Sequence, residues 1–162
     1  VTISPEHLDL YEEPLMANKL HLVAASGNSL NIKRIEDKSI FNRIPLIYRE
    51  DGSGTRFTMQ QFFAEESIKP KIKLELTTNE AIVQAVVADI GMSIVSLLSI
   101  KNELSQNELK IIPVKGLPLE STWKLIWLKK KNLSPVALAF LDYVRQEKEK
   151  VYDEYFKWME AY

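Results

Sequence analysis

Short apolar runs of the strand type alternate with helix-type segments along this chain, and this alternation restricts its possible folds more than any other feature. The strand-type runs are residues 8–15, 19–25, 45–49, 69–76, 92–96, 109–114 and 122–128. The helix-type segments are residues 55–67, 78–89, 97–104 and a long stretch from Ser134 to about Met159. Strands and helices that alternate at this spacing predict an α/β fold with a mostly parallel sheet.

The helix-type segment 78–89 has the clearest pattern. Its N-cap candidates are Thr77, Thr78 and Asn79. Glu80 would lie in the positive first turn, and Gly91 is expected to end the helix. Its apolar side chains recur at helical spacing: Ile82, Val83, Val86 and Val87. In the segment 55–67, the predicted apolar face consists of aromatic residues: Phe57, Phe62 and Phe63.

Two polar connections are candidates for the points where the chain passes between two lobes. One covers residues 26–44 and contains a possible helical turn at 35–41, and the other covers residues 115–121. Neither an internal repeat nor a low-complexity stretch is present.

The composition excludes several classes of site. With 21 Lys and Arg against 22 Asp and Glu, the net charge is -1, without the basic excess typical of a bare nucleic-acid binder. The absence of cysteine excludes disulfides, thiolate metal sites and a cysteine nucleophile. The apolar stretches are too short to cross a bilayer. The two histidines, His7 and His21, are not paired in a way that suits a metal.

A glycine loop in the sequence PLIYREDGSGTR separates the strand-type run at 45–49 from the next helix. Ligands of open α/β sheets collect at such strand-to-helix corners, where backbone N–H groups and the helix dipole favour an anion. The candidate binding residues of this corner are Ser53, Gly54, Thr55 and Arg56. The structural alternative is that the glycines form a tight turn and that a hydroxyl caps the helix.

Three enzyme loops are excluded by the spacing in this segment. It contains no G-x-S-x-G nucleophile elbow, no third glycine of a G-x-G-x-x-G motif, and no lysine of a Walker motif. The adjacent carboxylates Glu50 and Asp51 are more consistent with a solvated turn than with an acid–base pair. We therefore expect no catalytic residue here.

A second corner, in the sequence LTTNEAIV, repeats the same geometry. Thr78 and Asn79 are its candidate binding residues, and helix capping is again the structural alternative. If both corners face one cleft, a small anionic ligand would be shared between them.

The last helix-type segment carries apolar and aromatic residues that recur at intervals of three, four or seven. They are Val144, Val151, Tyr155, either Trp158 or Met159, and Tyr162. This face either packs on the domain itself, or packs on a partner or on the missing part of the chain.

Three segments together resemble a known family. They are PLIYREDGSGTR, LTTNEAIVQAVVADIGMSIVS and GLPLESTWKLIWLKKKNLSPVALAFLDYVR, within a likeness that extends from about Leu8 to Arg145. The chain is similar to the effector-binding domain of LysR-type transcriptional regulators, most of all to the regulators of carbon-fixation operons and the related sulfur-assimilation regulators.

The resemblance implies a fold like the type 2 periplasmic binding proteins, with two α/β lobes of mixed sheets around a cleft. A small effector, often an anion in this family, would bind there, flanked by Val95 and Ser96 in addition to the two corners. Intact members carry a helix-turn-helix, act as dimers or tetramers on DNA, and are cytoplasmic. The resemblance implies no catalysis, cofactor, metal or membrane contact.

The chain departs from the family pattern by lacking the helix-turn-helix and the first part of lobe I, so we interpret it as a fragment. Residues 1–26 would be a remnant of lobe I, residues 27–114 lobe II, and residues 115–162 the return to lobe I. We expect a partner copy to cover the incomplete lobe. The alternatives are a solute-binding protein of a transporter and an enzyme on the same fold, such as a dehydratase lobe.

Overall fold

Strands and helices alternate in the computed structural model, which describes residues 1–29 and 35–162. The described strands are β1 (Leu10–Ala25), β2 (Pro45–Arg49), β3 (Lys71–Leu76), β4 (Ser93–Ser96), β5 (Leu109–Ile111) and β6 (Leu119–Leu128). The described α-helices are α1 (Gly54–Glu65), α2 (Asn79–Val87), α3 (Lys101–Ser105) and α4 (Pro135–Val151). Shorter 3₁₀ helices lie at Lys38–Asn42, Leu97–Ile100 and Lys157–Ala161, and a π-helix lies at Tyr152–Phe156.

The polar connection predicted at 26–44 is described only in part, because residues 30–34 lie outside the described residues. The helical turn predicted within it is present as the 3₁₀ helix Lys38–Asn42. The Asp37 side chain caps this helix by accepting a hydrogen bond from the Ser39 N–H at 3.1 Å.

The longest strand, β1, joins two runs that the sequence separates. The strands predicted at 8–15 and 19–25 form one continuous strand, because polar Asn18 continues the extended backbone instead of ending it. Asn18 is buried, and its Oδ1 accepts a hydrogen bond of 2.6 Å from the Ser96 Oγ. The neighbouring strand β4 thus supplies the partner that a buried amide needs.

Strand directions are mixed. β2 and β3 pair in parallel, and a parallel bridge between Leu46 and Met92 joins β2 to the residue just before β4. β1 pairs antiparallel with β4 and β5, and β6 also pairs with β1. The prediction of a mostly parallel sheet is therefore wrong for the sheet that contains β1, whereas the mixed sheets implied by the resemblance are confirmed. Alternation of strands and helices does not specify the direction of a strand that precedes the first helix.

The chain divides into two compact units. Unit 1 consists of Val1–Ala17 and Ser121–Tyr162, and unit 2 consists of Asn18–Glu120. The core of unit 2 is rich in aromatic side chains, and the rings of Phe41 and Phe63 meet edge to face with centroids 5.0 Å apart.

The predicted apolar face of α1 is partly wrong. Phe62 and Phe63 are buried, but Phe57 is 46% exposed and Met59 is buried in its place. Met59 lies three and four residues before the two buried phenylalanines, which is the spacing of one helical face, whereas Phe57 lies off that face. In α2, by contrast, three of the four residues of the predicted apolar face are buried, Ile82, Val83 and Val86, and Val87 is half-buried.

In unit 1, α4 begins as predicted but ends earlier. Ser134 is its N-cap and accepts a hydrogen bond from the Ala137 N–H at 3.2 Å. The helix ends at Val151 rather than near Met159, and helical backbone continues with π and then 3₁₀ hydrogen bonding. Glu13 of β1 accepts hydrogen bonds from Arg145 at 2.7 Å and Lys148 at 3.0 Å, which ties this strand to α4.

Candidate functional site

Three strand ends carry the predicted site residues, and strand pairing places these ends at one edge of unit 2. β2 and β3 run in parallel, with Arg49 paired to Leu76 at their carboxyl ends. The parallel bridge between Leu46 and Met92 shows that the chain enters β4 in the same direction. Ligands of α/β folds collect beyond the carboxyl ends of such strands.

The first corner, between β2 and α1, leaves the start of α1 without a side-chain cap. Ser53 is the buried N-cap residue, yet its side chain makes no capping hydrogen bond. Gly52 has a φ of +86°, a left-handed conformation that favours glycine. The first N–H groups of a helix have no acceptor within the helix. The N–H groups of Gly54 and Thr55 are therefore suited to an anion.

Arg56, the fourth predicted residue of this corner, already has partners within the protein. Its Nη1 donates to the Glu75 Oε2 at 2.5 Å and to the Arg49 carbonyl oxygen at 3.0 Å. Its guanidinium also lies 5.9 Å from the centroid of the Tyr48 ring. With a side chain only 16% exposed, Arg56 joins α1 to the paired strands β2 and β3.

The second corner, between β3 and α2, has the side-chain cap that the first lacks. Thr78 is the N-cap, and its Oγ1 accepts a hydrogen bond from the Ala81 N–H at 3.1 Å. Glu80 lies in the first turn, as predicted, where a carboxylate stabilises the helix dipole. Asn79 is the first residue of α2, and its Oδ1 accepts a hydrogen bond of 2.5 Å from the Arg49 Nη1.

Arg49 connects the two corners and was not among the predicted residues. Its guanidinium donates to both carboxylate oxygens of Glu50, at 2.7 and 2.8 Å, in addition to Asn79. The hydrogen bond from Arg49 lowers the pKa of the Glu50 carboxyl. The prediction of a solvated turn therefore fits Asp51, which is 92% exposed, but not Glu50. The sequence feature that could have identified Arg49 is an arginine at the last position of a predicted strand, followed directly by a carboxylate.

The end of β4 contributes less to this edge than the resemblance implies. Val95 is 4% exposed and pairs with His21 in β1, so its side chain is buried. Ser96 is half-buried, and its Oγ donates to Asn18 as described above. Arg49 brings the residues of the first two corners together, and among the described residues no hydrogen bond or ion pair joins Val95 or Ser96 to those corners.

A depression of about 180 Å³ lies beside Asn79. It is lined by Asn79, Glu80, Val83, Gln84, Ser99 and Glu103. The carboxylates of Glu80 and Glu103 would repel a negative charge, so a small anion bound at the two corners would have to lie outside this depression.

The two histidines lie in different environments, His7 at an exposed position and His21 in a buried one. His21 is 5% exposed in β1, and burial lowers its pKa. The described part of the chain contains no group of three or more His, Cys, Asp or Glu that could hold a metal ion. None of the helices in residues 1–29 and 35–162 is both long and apolar enough to cross a membrane.

Comparison with known proteins identifies relatives of this chain. The family described as the LysR substrate binding domain matches residues 1–149. The HTH-type transcriptional activator CmpR of Synechocystis sp. is 40% identical over 141 residues, which cover 86% of this chain and 46% of CmpR. The RuBisCO operon transcriptional regulator of Acidithiobacillus ferrooxidans is 34% identical over 140 residues, which cover 86% of this chain and 45% of that regulator. The chain thus spans about half the length of the curated relatives it matches.

Solved structures show the same relationship. The regulatory domain of CcmR from Synechocystis PCC6803, in complex with 2-PG, superposes with a TM-score of 0.85 at 32% identity, covering 91% of this chain and 71% of that domain. The effector binding domain of QuiR in complex with shikimate has a TM-score of 0.77 at 26% identity, and the match covers 91% of this chain and 69% of that domain. These relatives are regulators, which supports the regulatory interpretation over the transporter alternative. The chain belongs to the LysR substrate binding domain family, the family predicted from its three sequence segments.

Proposed function

We propose that this chain is the effector-sensing domain of a LysR-type transcriptional regulator and that it has no enzymatic activity. The observation that carries the proposal is the first corner, where the buried N-cap Ser53 leaves the start of α1 without a side-chain cap. A bound effector would bias how two receptor domains sit on each other, and the DNA-binding part of the intact protein would respond.

A small anionic metabolite is the proposed effector. α1 and α2 both begin at the same edge of unit 2, so the positive ends of both helix dipoles favour negative charge there. The CcmR structure holds 2-PG, and the QuiR structure holds shikimate, which is a carboxylate. The proposed effector-binding residues are Ser53, Gly54, Thr55, Arg56, Thr78, Asn79, Val95 and Ser96.

The proposal also covers the organisation of the intact protein. Residues 27–114 would form the effector-binding lobe, and residues 1–26 and 115–162 would belong to the other lobe. DNA contact would come from a helix-turn-helix outside these residues, as the HTH-type relatives suggest. The protein would self-associate and act in the cytoplasm.

Isothermal titration calorimetry with Thr78→Ala tests the proposed site. The Thr78 hydroxyl has a proton to donate while it accepts the cap hydrogen bond from the Ala81 N–H, so we expect its loss to weaken 2-PG binding about tenfold. Ser134→Ala is the matched control, because it removes an equivalent cap from α4 in unit 1 and should leave affinity unchanged.

Two results would count against the proposal. Equal affinity of Thr78→Ala and wild type would remove this residue from the site. No binding heat for 2-PG, shikimate or inorganic phosphate would contradict the effector-sensing function itself.

A further inference from the structure

Arg49 has a bonding pattern that goes beyond holding two loops together. It is the last residue of β2, and its side chain is 18% exposed. Both oxygens of Glu50 accept hydrogen bonds from one side of its guanidinium, at 2.7 and 2.8 Å. Its Nη1 is then directed to the Asn79 Oδ1 at 2.5 Å. Glu50 thus fixes the plane of the guanidinium, and the Nη1 of Arg49 is left to donate a hydrogen bond to Asn79.

This contact decides which way the Asn79 amide is turned. A guanidinium nitrogen is only a donor, so the atom of the amide that faces it has to be the carbonyl oxygen. Turning the amide by half a rotation would place its NH₂ group against the donors of Arg49. The Asn79 Nδ2 has no hydrogen-bond partner among the described residues, so both of its hydrogens stay available.

The orientation matters because Asn79 is the first residue of α2, beside the N–H groups at the positive end of that helix. An NH₂ group adds two donors to this end, whereas a carbonyl oxygen would repel an anion. We propose that Arg49 is a positioning residue, which holds the Asn79 amide so that its NH₂ group and not its oxygen is offered to the bound anion. This inference rests on the proposed effector function.

Glu50 explains why Arg49 acts through orientation. The paired carboxylate balances the charge of Arg49, so the pair adds little net positive charge to the site. A lysine would keep the charge but lose the fork, because an ammonium cannot hold two carboxylate oxygens and an amide oxygen in one plane. A lysine, which supplies only the charge, should therefore not restore the function of Arg49.

Calorimetric titration of 2-PG into the 162-residue chain tests the inference with Arg49→Gln and Arg49→Lys. We expect both substitutions to weaken binding about tenfold. Arg43→Gln is the matched control, since it removes the same charge from an arginine whose side chain is 71% exposed. If Arg49→Lys binds as tightly as wild type, the positioning role is wrong.

A double-mutant cycle separates positioning from a general structural effect. If Arg49 acts through Asn79, the roughly tenfold loss caused by Arg49→Gln should shrink to about twofold or less in an Asn79→Ala background. A loss of equal size in both backgrounds would overturn the inference.

Asn79→Asp keeps the inference testable if the Arg49 variants fail to fold. The aspartate retains an oxygen for Arg49 and places a carboxylate in the first turn of α2, so thermal stability should be unchanged or higher. Because the NH₂ group becomes an oxygen, 2-PG binding should be lost. Retained binding in Asn79→Asp would overturn the inference, whereas no binding by the wild type would refute the proposed function and this inference together.

Discussion

At the scale of single residues, the Tyr48 Oη and the His21 Nε2 in unit 2 are both buried without a hydrogen-bond partner among the described residues. A buried polar atom without a partner loses its hydrogen bonds to water on folding and gains none in return. Each of these two unpaired polar atoms should therefore lower the free energy of unfolding. A substitution that removes the atom measures this effect.

For Tyr48, the substitution is Tyr48→Phe. The ring is 2% exposed and stacks on Phe63 with centroids 6.4 Å apart, so the phenylalanine keeps the packing while removing the hydroxyl. We expect the free energy of unfolding to rise by about 1 kcal/mol, measured by chemical denaturation. Tyr143→Phe is the control, because Tyr143 is 60% exposed. A clear loss of stability in Tyr48→Phe would show that the hydroxyl has a partner.

For His21, the consequence depends on pH. Burial, reinforced by the charge of Lys19, lowers the pKa of His21 below its usual value of 6.5. The unfolded chain therefore takes up a proton more readily than the folded one, so stability is complete above about pH 6.5 and falls as the pH drops toward the folded pKa.

His21→Gln should consequently flatten the decline of the free energy of unfolding between about pH 7 and pH 5. Denaturation curves at several pH values measure this slope, with His7→Gln at an exposed position as the control. The salt bridges of Glu13 should not contribute to the slope in this pH range. Arg145 and Lys148 lower the pKa of Glu13 from 4.5, so the stability that these salt bridges provide is lost only in more acidic solution. If the free energy of unfolding of His21→Gln declined with pH as steeply as that of the wild type, the assignment of this pH dependence to His21 would be wrong.

The site residues differ in how far the sequence predicts them. Thr78 and Asn79 follow from local capping rules, since a cap is a contact between neighbours in sequence. Arg49 does not, because its contact with Asn79 depends on the parallel pairing of β2 with β3 across 30 residues of chain. Arg56 was predicted as a ligand donor, but its contacts with Glu75 and the Arg49 carbonyl appear only when α1 is packed on that sheet.

At the scale of elements, periodicity predicts the existence of strands and helices better than their directions or ends. The apolar face of α2 is visible in the sequence because helical spacing is a local property. The antiparallel direction of β1 and its passage through Asn18 depend on β4, a distant part of the chain. The change from α to π hydrogen bonding after Val151 likewise has no local sequence signal that we can identify.

The connection from α2 to β4, which passes close to β2 at Gly91, gives a prediction at this scale. A Cβ added at Gly91 would lie 2.9 Å from the Pro45 carbonyl oxygen and 3.2 Å from the Ile47 Cγ1. The Pro45 oxygen also accepts a hydrogen bond from the Met92 N–H at 2.9 Å, so it has little freedom to move.

We therefore expect Gly91→Ala to lower the free energy of unfolding by about 1–3 kcal/mol, measured by thermal or chemical denaturation. Gly27→Ala is the matched control, because an added Cβ there meets no atom within 4 Å. Equal stability of the two variants would contradict the close packing of the segment before β4 on β2.

At the scale of the whole molecule, α4 presents an apolar face to solvent. Val136, Phe140 and Tyr143 are 79%, 57% and 60% exposed, and their spacing of four and three residues places them on one side of the helix. Exposed apolar surface of this kind is typical of contact sites. We expect it to be covered by a second copy of the chain, in line with the self-association predicted from the sequence.

Light scattering at increasing protein concentration measures this association. The wild-type chain should show a rising average mass, and Phe140→Glu should shift the rise to higher concentration because it places a charge in the apolar face. Ile90→Glu, at an apolar residue 40% exposed in unit 2, should behave like the wild type. A wild-type chain that stays monomeric at every concentration would contradict the expectation.

The most direct test of the effector site is a titration of the ¹⁵N-labelled chain with 2-PG, followed by NMR. We predict that the largest shifts fall on the backbone amides of Gly54, Thr55 and Asn79 and on the side-chain NH₂ of Asn79. These groups lie at the two helix N-termini that form the proposed site. Largest shifts confined to unit 1, or no shifts at saturating 2-PG, would contradict an effector site at these two corners.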